Sequence, residues 1–275
     1  MRIFGIVNVT PDSFSDGGQL QSPQAAIDHA LRLEDEGAHV LDIGGESTRP
    51  GADPVSADDE CRRVLPVIEG LHARTDAALS IDTRKTAVAS DALLAGATIW
   101  NDVSALRDEG AVELAATSGC GVVLMHMQGD PHSMQQAPRY HDVLAEVMGY
   151  LAARITICVN AGCDRARLIA DPGIGFGKTL EHNLAIFGDL ERFHELGVPL
   201  MLGASRKRFI SALDRDEPAD ARLGGSLAAV LRGAQAGAAW CRVHDVKATR
   251  QALAVGAPVR PTNRPCKYFI YFFFT

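Results

Sequence analysis

The chain has 275 residues, 47% of them hydrophobic and 22% charged, an ordinary balance for a globular enzyme and enough to bury a sizeable core. A formal net charge of −7 argues against a general affinity for nucleic acid, whose phosphates demand a basic surface, and leaves room for a local basic pocket. Six cysteines (Cys61, Cys120, Cys158, Cys163, Cys241 and Cys266) are scattered without a C-x-x-C pair or zinc spacing, the pattern of reduced packing thiols in a cytoplasmic protein.

The opening residues, MRIFGIVNVT, hold too short an apolar run for a signal peptide and read as a buried strand. No stretch reaches the roughly 18 uncharged apolar residues of a membrane span, so no membrane partner is expected. One unit then repeats along the chain: a short apolar run, a polar or glycine-rich loop, and an amphipathic helix. After Ile3–Val9 the runs are His39–Gly44, Leu79–Thr83, Thr98–Ser104, Gly121–His126, Leu168–Gly173, Pro199–Ser205 and Trp240–Val246. The first helix, SPQAAIDHALRLEDEG, opens on Ser-Pro and stops at Gly37; the second opens on Ser56 as N-cap with acids in its first turn. Later segments end at Gly96, Gly119, Gly162, Gly197, Gly237 and Gly256.

Continuous apolar strands alternating with helices predict a parallel sheet covered on both faces. Eight units in about 250 residues match a TIM (β/α)8 barrel, here a single domain over residues 1–256. An open doubly wound sheet is the alternative, but no G-x-G-x-x-G follows the first strand.

A barrel concentrates function where each strand ends. Those positions hold Asn8, Glu46 to Arg49, Asp82, Asn101 and Asp102, His126, Asp171, Ser205 to Lys207, and Arg242, His244 and Asp245. Singly, each acid or amide is a common turn former and His126 an ordinary core histidine. As a set, acids embedded in apolar strands are costly to bury without donors, and they fit the hydrogen-bonding edge of a flat heterocycle. Arg206, Lys207, Arg242 and His244 make the loops after strands seven and eight the most cationic part of the rim, suited to a phosphate ester. The stretch DPGIGFGKT (171–179) ends like a P-loop, yet Pro172 stands where that motif needs glycine and removes an N–H from any phosphate cradle. Its glycines are expected to make a tight turn, with Lys178 and Thr179 starting the next helix.

Taken together, NVTPDSFSDGG (8–18), GGESTRPGA (44–52), IDT (81–83), NDVS (101–104), LMHMQG (124–129), DPGIGFGK (171–178), SRK (205–207) and RVHDV (242–246) resemble dihydropteroate synthase, in that family's order and as far as about Gly256. The resemblance implies a homodimeric barrel that joins 4-aminobenzoate to 6-hydroxymethyl-7,8-dihydropterin diphosphate and releases pyrophosphate with Mg2+ bound. It implies pterin contacts from Asp82, Asn101, Val103, Met125, Asp171 and Lys207, with Asp82, Asp171 and Lys207 serving catalysis. Asn8, Arg49, Arg242 and His244 would hold the diphosphate, Asn8 also facing the metal. Phe14, Thr48, Arg49, Pro50, Phe176, Lys207 and Arg208 would line the aminobenzoate pocket, with loops Thr10–Gly18 and Ser47–Ala52 closing over it. Arg208 stands where the family often has a serine that binds the aminobenzoate carboxylate, so only the backbone N–H there remains to do so. Sulfonamides mimic 4-aminobenzoate and would compete for the same pocket. The chemistry calls for no nucleophilic side chain and no covalent intermediate. Two rivals are the pterin domain of corrinoid-dependent methyltransferases, which lacks the first loop, the SRK and the RVHDV, and a catalytically silent pterin-binding protein.

Beyond Gly256 the text changes to APVRPTNRPCKYFIYFFFT, where three prolines block a helix and four of the ten phenylalanines gather. It reads as an aromatic anchor, as a strand or dimer contact, or, the reading we favour, as out-of-frame sequence acquired by recombination, compatible with a gene kept for sulfonamide resistance. Left uncovered, such a run promotes aggregation. Deleting Pro261–Thr275 should leave turnover intact and improve solubility, measured by specific activity and light scattering; loss of activity or folding would make the tail part of the barrel.

Overall fold

The computed structural model describes residues 1–10, 22–48 and 51–256. Eight parallel strands form one sheet: β1 (Arg2–Asn8), β2 (Val40–Gly44), β3 (Ala78–Asp82), β4 (Ile99–Asp102), β5 (Gly121–Met125), β6 (Leu168–Asp171), β7 (Met201–Leu202) and β8 (Trp240–Val243). Their order is β6-β5-β4-β3-β2-β1-β8-β7. A single parallel bridge, Ala170 to Leu200, brings β6 to β7 and closes the cylinder. The expected barrel is therefore present. Most strands stop one to three residues before the apolar runs do: His126, Gly173 and Ser205 fall in loops, and Val246 opens a helix.

The strands alternate with α1 (Pro23–Asp35), α2 (Ala57–His72), α3 (Thr86–Leu94), α4 (Ala111–Ser118), α5 (Val143–Asn160) and α6 (Leu180–Gly188); α7 (Arg208–Leu213) and α8 (Leu223–Gln235) both follow β7, and α9 (Val246–Gly256) follows β8. The starts obey the capping expectations. Ser22 and Ser56 accept from the backbone N–H groups of Ala25 and Asp59, and Pro23 and three acids occupy the respective first turns. Helix α5 is long and apolar enough by length and composition to cross a membrane, with mean hydropathy 1.4 over 18 residues, although it carries Glu146 and Arg154. Here it packs on the barrel, with Val147, Leu151, Ile155 and Cys158 buried in the core and Arg154 donating to the carbonyls of Ala105 and Leu106. Five free cysteines lie among the described residues, four of them buried; Cys266 and the whole tail 257–275 lie outside those residues.

Inside the cylinder, Phe4, Val40, Val123, Ile169, Met201 and Trp240 form a separate buried cluster that plugs it. The Phe4 and Trp240 rings meet edge to face at 5.1 Å. Side chains on a strand return to the same face every second residue. Two positions beyond the plug the chain supplies Asp42, Met125, Asp171 and Arg242. The apolar floor and the polar mouth are thus successive layers of the same strands.

The loop after β6 shows why its glycines are needed. Gly173 has φ +68°, and a Cβ there would sit 1.9 Å from the His126 carbonyl oxygen; at Gly177, with φ +61°, it would sit 2.8 Å from the Gln128 carbonyl oxygen. The loop is glycine-rich for close approach to its neighbour, as a tight turn requires. Thr179 does start α6, through a reciprocal capping box with His182. Lys178 does not merely precede it. Its ammonium turns inward, 3% exposed, and meets His126 Nδ1 at 2.9 Å and the carbonyls of Gly173 and Phe176 at 3.0 Å.

His126 serves as its neutral acceptor, lowered to about 3 by burial and by the lysine's charge, with its ring against the edge of Tyr150. Burial is also the main influence on Lys178, lowering it from 10.5 to about 7, with Asp171 opposing and Lys207 reinforcing the shift. The folded pKa lies below the unfolded one, so between about pH 7 and 10.5 the unfolded chain binds more protons and stability rises with pH. Lys178→Met should lack this gain. Urea unfolding at pH 7 and 9.5 should show wild type gaining at least ~1 kcal/mol on the variant; parallel curves would refute the shift.

Candidate active site

Three acceptors converge at the mouth. Asp82 ends β3 and Asn101 pairs with it in register on β4; Asp171 ends β6 opposite Met125 on β5. All three are at most 9% exposed. Asp171 Oδ1 accepts from the Gly173 N–H at 2.7 Å, while a Cβ on Gly203 would stand 3.3 Å from Oδ2, so glycine there leaves that oxygen room. Burial raises the pKa of Asp171, opposed by the Gly173 hydrogen bond and the charge of Lys207. The neighbouring Asp102 belongs to a different task. It points out of the barrel and accepts from Ser104 N, Ser104 Oγ and Leu106 N, each at 2.7 Å, holding a turn with left-handed Ala105 and Leu106.

Arg242, on the inward face of β8, donates through Nε to Asp42 Oδ2 at 2.6 Å and through Nη2 to Asp82 Oδ2 at 2.5 Å. Asp42 also accepts from Asn101 Nδ2 at 3.0 Å. Burial pushes the Asp82 carboxyl up and the guanidinium pulls it down. Burial wins on balance, raising the Asp82 carboxyl to about 7 even beside a permanently charged guanidinium. Arg242, expected at the rim for a phosphate, is tied first to two carboxylates. Asp42 was passed over, although a lone acid in the apolar run VLDIG, on the same face as the plug residue Val40, was the signal for it.

Lys207 crosses from the start of α7 to donate to the Ile174 carbonyl at 2.7 Å, its Nζ 3.9 Å from the centroid of the Phe176 ring. Burial lowers its pKa to about 7, against the pull of Asp171. Val103, Met125, Met127 and Met134 form an apolar wall on which Phe176 packs. His244 and Ser205 are joined twice: the His244 N–H donates to Ser205 Oγ at 3.2 Å, and Oγ lies 3.0 Å from Nδ1. The pattern that satisfies both is a hydroxyl donating to Nδ1, which leaves the ring proton on Nε2.

Arg206 departs from its expected place among the phosphate-binding cations. With φ +58° it turns back and makes a two-pronged bond to Asp245, Nε–Oδ2 at 3.0 Å and Nη2–Oδ1 at 2.6 Å, which neutralises it within the protein. Asn8 ends β1 opposite Gly44, half-buried. Thr48 is half-buried and Arg208 exposed. Phe14, Arg49 and Pro50 lie outside the described residues, as do positions 11–18 of the first expected closing loop. The stem of the second is fixed by Glu46, which accepts from the Val55 N–H at 2.9 Å and from Arg84 Nε at 3.1 Å.

Known proteins similar to this chain point to one family. A family model described as pterin binding enzyme matches residues 4–244. Dihydropteroate synthase of Neisseria meningitidis serogroup C is 52% identical over 256 residues, covering 92% of this chain and 90% of that one. Two solved structures superpose closely. Yersinia pestis dihydropteroate synthase with a sulfonamide drug complex has a TM-score of 0.90 at 44% identity, covering 94% of each chain. Xanthomonas albilineans dihydropteroate synthase with 4-aminobenzoic acid has a TM-score of 0.89 at 51% identity, covering 96% of this chain and 94% of that one. With its barrel, its buried acceptors and a match along nearly its whole length, the chain belongs to the dihydropteroate synthase family of pterin-binding enzymes.

Proposed function

We propose that Asp82, Asn101 and Asp171 bind the pterin edge in the reaction of this family, the transfer of a pterinylmethyl group from 6-hydroxymethyl-7,8-dihydropterin diphosphate to 4-aminobenzoate. The observation that carries the assignment is the convergence of three buried acceptors with a wall of Val103, Met125 and Phe176. A dihydropterin presents N–H donors along its edge and two apolar faces, and this mouth offers the complement of both. Lys207, braced by the Ile174 carbonyl and Phe176, lies against the ring and reaches toward Asp171.

In the reaction the bond between the pterin methylene carbon and the diphosphate oxygen breaks, and its electron pair leaves on pyrophosphate. The amine lone pair of 4-aminobenzoate forms the new C–N bond, and the displaced proton goes to solvent. Asp171 and Asp82 stabilise the positive charge that develops on the pterin, and the Nε2–H of His244 with the guanidinium of Arg242 face the departing negative charge. Arg49, from the second loop, joins them at the diphosphate. The aminobenzoate enters between the two loops, bounded by Phe14, Thr48, Pro50, Phe176 and the backbone at Arg208. A sulfonamide, as carried by the Yersinia pestis relative, fits the same position.

The family reaction is consistent with help from a divalent metal, and we assign Mg2+. No group of three or more His, Cys, Asp or Glu side chains stands ready to hold an ion among the described residues. Mg2+ usually takes one or two protein oxygens and completes its shell from phosphates and water. Asn8 would supply the protein oxygen, and the bound ion would offset charge on the diphosphate.

A steady-state assay should detect pyrophosphate release only with both substrates present; release with one alone would exclude this reading. Asp171→Ala removes a charge-assisted hydrogen bond and should weaken pterin binding at least tenfold in calorimetry. Unchanged affinity would remove the central assignment.

A further inference from the structure

We propose that Asp42 is a positioning residue for pterin recognition, fixing Asn101 so that its amide oxygen faces the ligand and anchoring the Arg242 guanidinium beside it. The inference rests on the assignment of Asn101 to the pterin edge. Asp42 is fully buried on the inward face of β2. One of its oxygens, Oδ2, accepts from both Asn101 Nδ2 at 3.0 Å and Arg242 Nε at 2.6 Å. Its other oxygen has no hydrogen-bond partner, and neither has Ser80 Oγ on the residue paired with it in register. A buried carboxylate left half-satisfied is costly, so its place in the barrel calls for a use beyond packing.

That use follows from the symmetry of an amide. Rotated by half a turn, an asparagine side chain keeps its shape and exchanges its acceptor for a donor. Beside Asp82 and Asp171, only the acceptor suits a ligand edge that presents N–H groups. A carboxylate cannot donate, so Asp42 accepts only the Nδ2 face of Asn101 and leaves Oδ1 directed away from it. Asp42 thereby sets the hydrogen-bond polarity of a residue across the sheet. The same oxygen holds the guanidinium from one side while Asp82 holds it from the other, so Arg242 keeps one orientation in the mouth.

The test is calorimetric binding of 6-hydroxymethyl-7,8-dihydropterin, which lacks the diphosphate, to the full chain and four variants. Asp42→Leu, nearly isosteric but unable to accept, should weaken binding roughly tenfold or more. Asp42→Asn keeps one oxygen in the accepting position and should recover most of the affinity. In the Asn101→Ala background, Asp42→Leu should add less than about threefold, since the two act as one unit. Wild-type affinity in Asp42→Leu, or costs that simply add in the double variant, would overturn the proposal. A packing role would show the reverse pattern, with Leu tolerated and Asn not. Should the Leu variant fail to fold, Asp42→Ala, which also cannot accept, carries the same comparison. Unchanged binding in Asn101→Ala alone would refute the assignment of Asn101 instead, whatever Asp42 does.

Discussion

One guanidinium shared between two buried carboxylates organises the mouth of this barrel. Arg242 bridges Asp42 and Asp82 across strands β8, β2 and β3, with bonds of 2.6 and 2.5 Å. Pulling these charges from water is expensive, and removing one partner of such a buried set typically costs about 3–5 kcal/mol. The set is therefore weak evidence for stability, and removing any one of the three charges leaves a buried partner unmatched. The plug of Phe4, Val40, Ile169 and Trp240 beneath makes the neighbourhood dry, which strengthens every interaction above it. Any ligand that enters meets charges already held in place, so little reorganisation remains to be done when charge develops in a reaction.

The eight-unit barrel was legible because its physics is local. Apolar runs of strand length, N-cap serines and terminal glycines each announce an element without reference to the rest of the chain. The rim was legible for a related reason: Asp82 and Asp171 sit inside apolar text, where an unpaired carboxylate is expensive. Asp42 has the same signature but lies in the middle of β2, and only the barrel's period of two brings that layer into the mouth.

Other features lay beyond local reading. Lys178 precedes the capping residue Thr179, and nothing nearby in the chain says that its ammonium turns inward to a histidine 52 positions away. Arg206 looked like a phosphate ligand by composition, but a left-handed backbone sends it to Asp245. That conformation is set by how β7 hands over to α7, a tertiary matter. Likewise Pro199–Ser205 reads as a full strand, yet only Met201 and Leu202 find ladder partners on β8.

The shortness of β7 matters for the mechanics of the cylinder. Along β1 and β2 five residue pairs run in register, and three join β3 to β4, but a single bridge holds β6 to β7. The ladder is thus thinnest at the seam between β6 and β7, with only two pairs on the other side of β7. That seam lies between the strand that ends in Asp171 and the strand whose loop leads to Lys207. Breathing there would widen the gap between acid and ammonium while Asp82 and Asn101, tied by continuous ladder, keep their spacing. The wall of the barrel would then behave as a stiff jaw and a soft one, and the soft jaw carries the lysine.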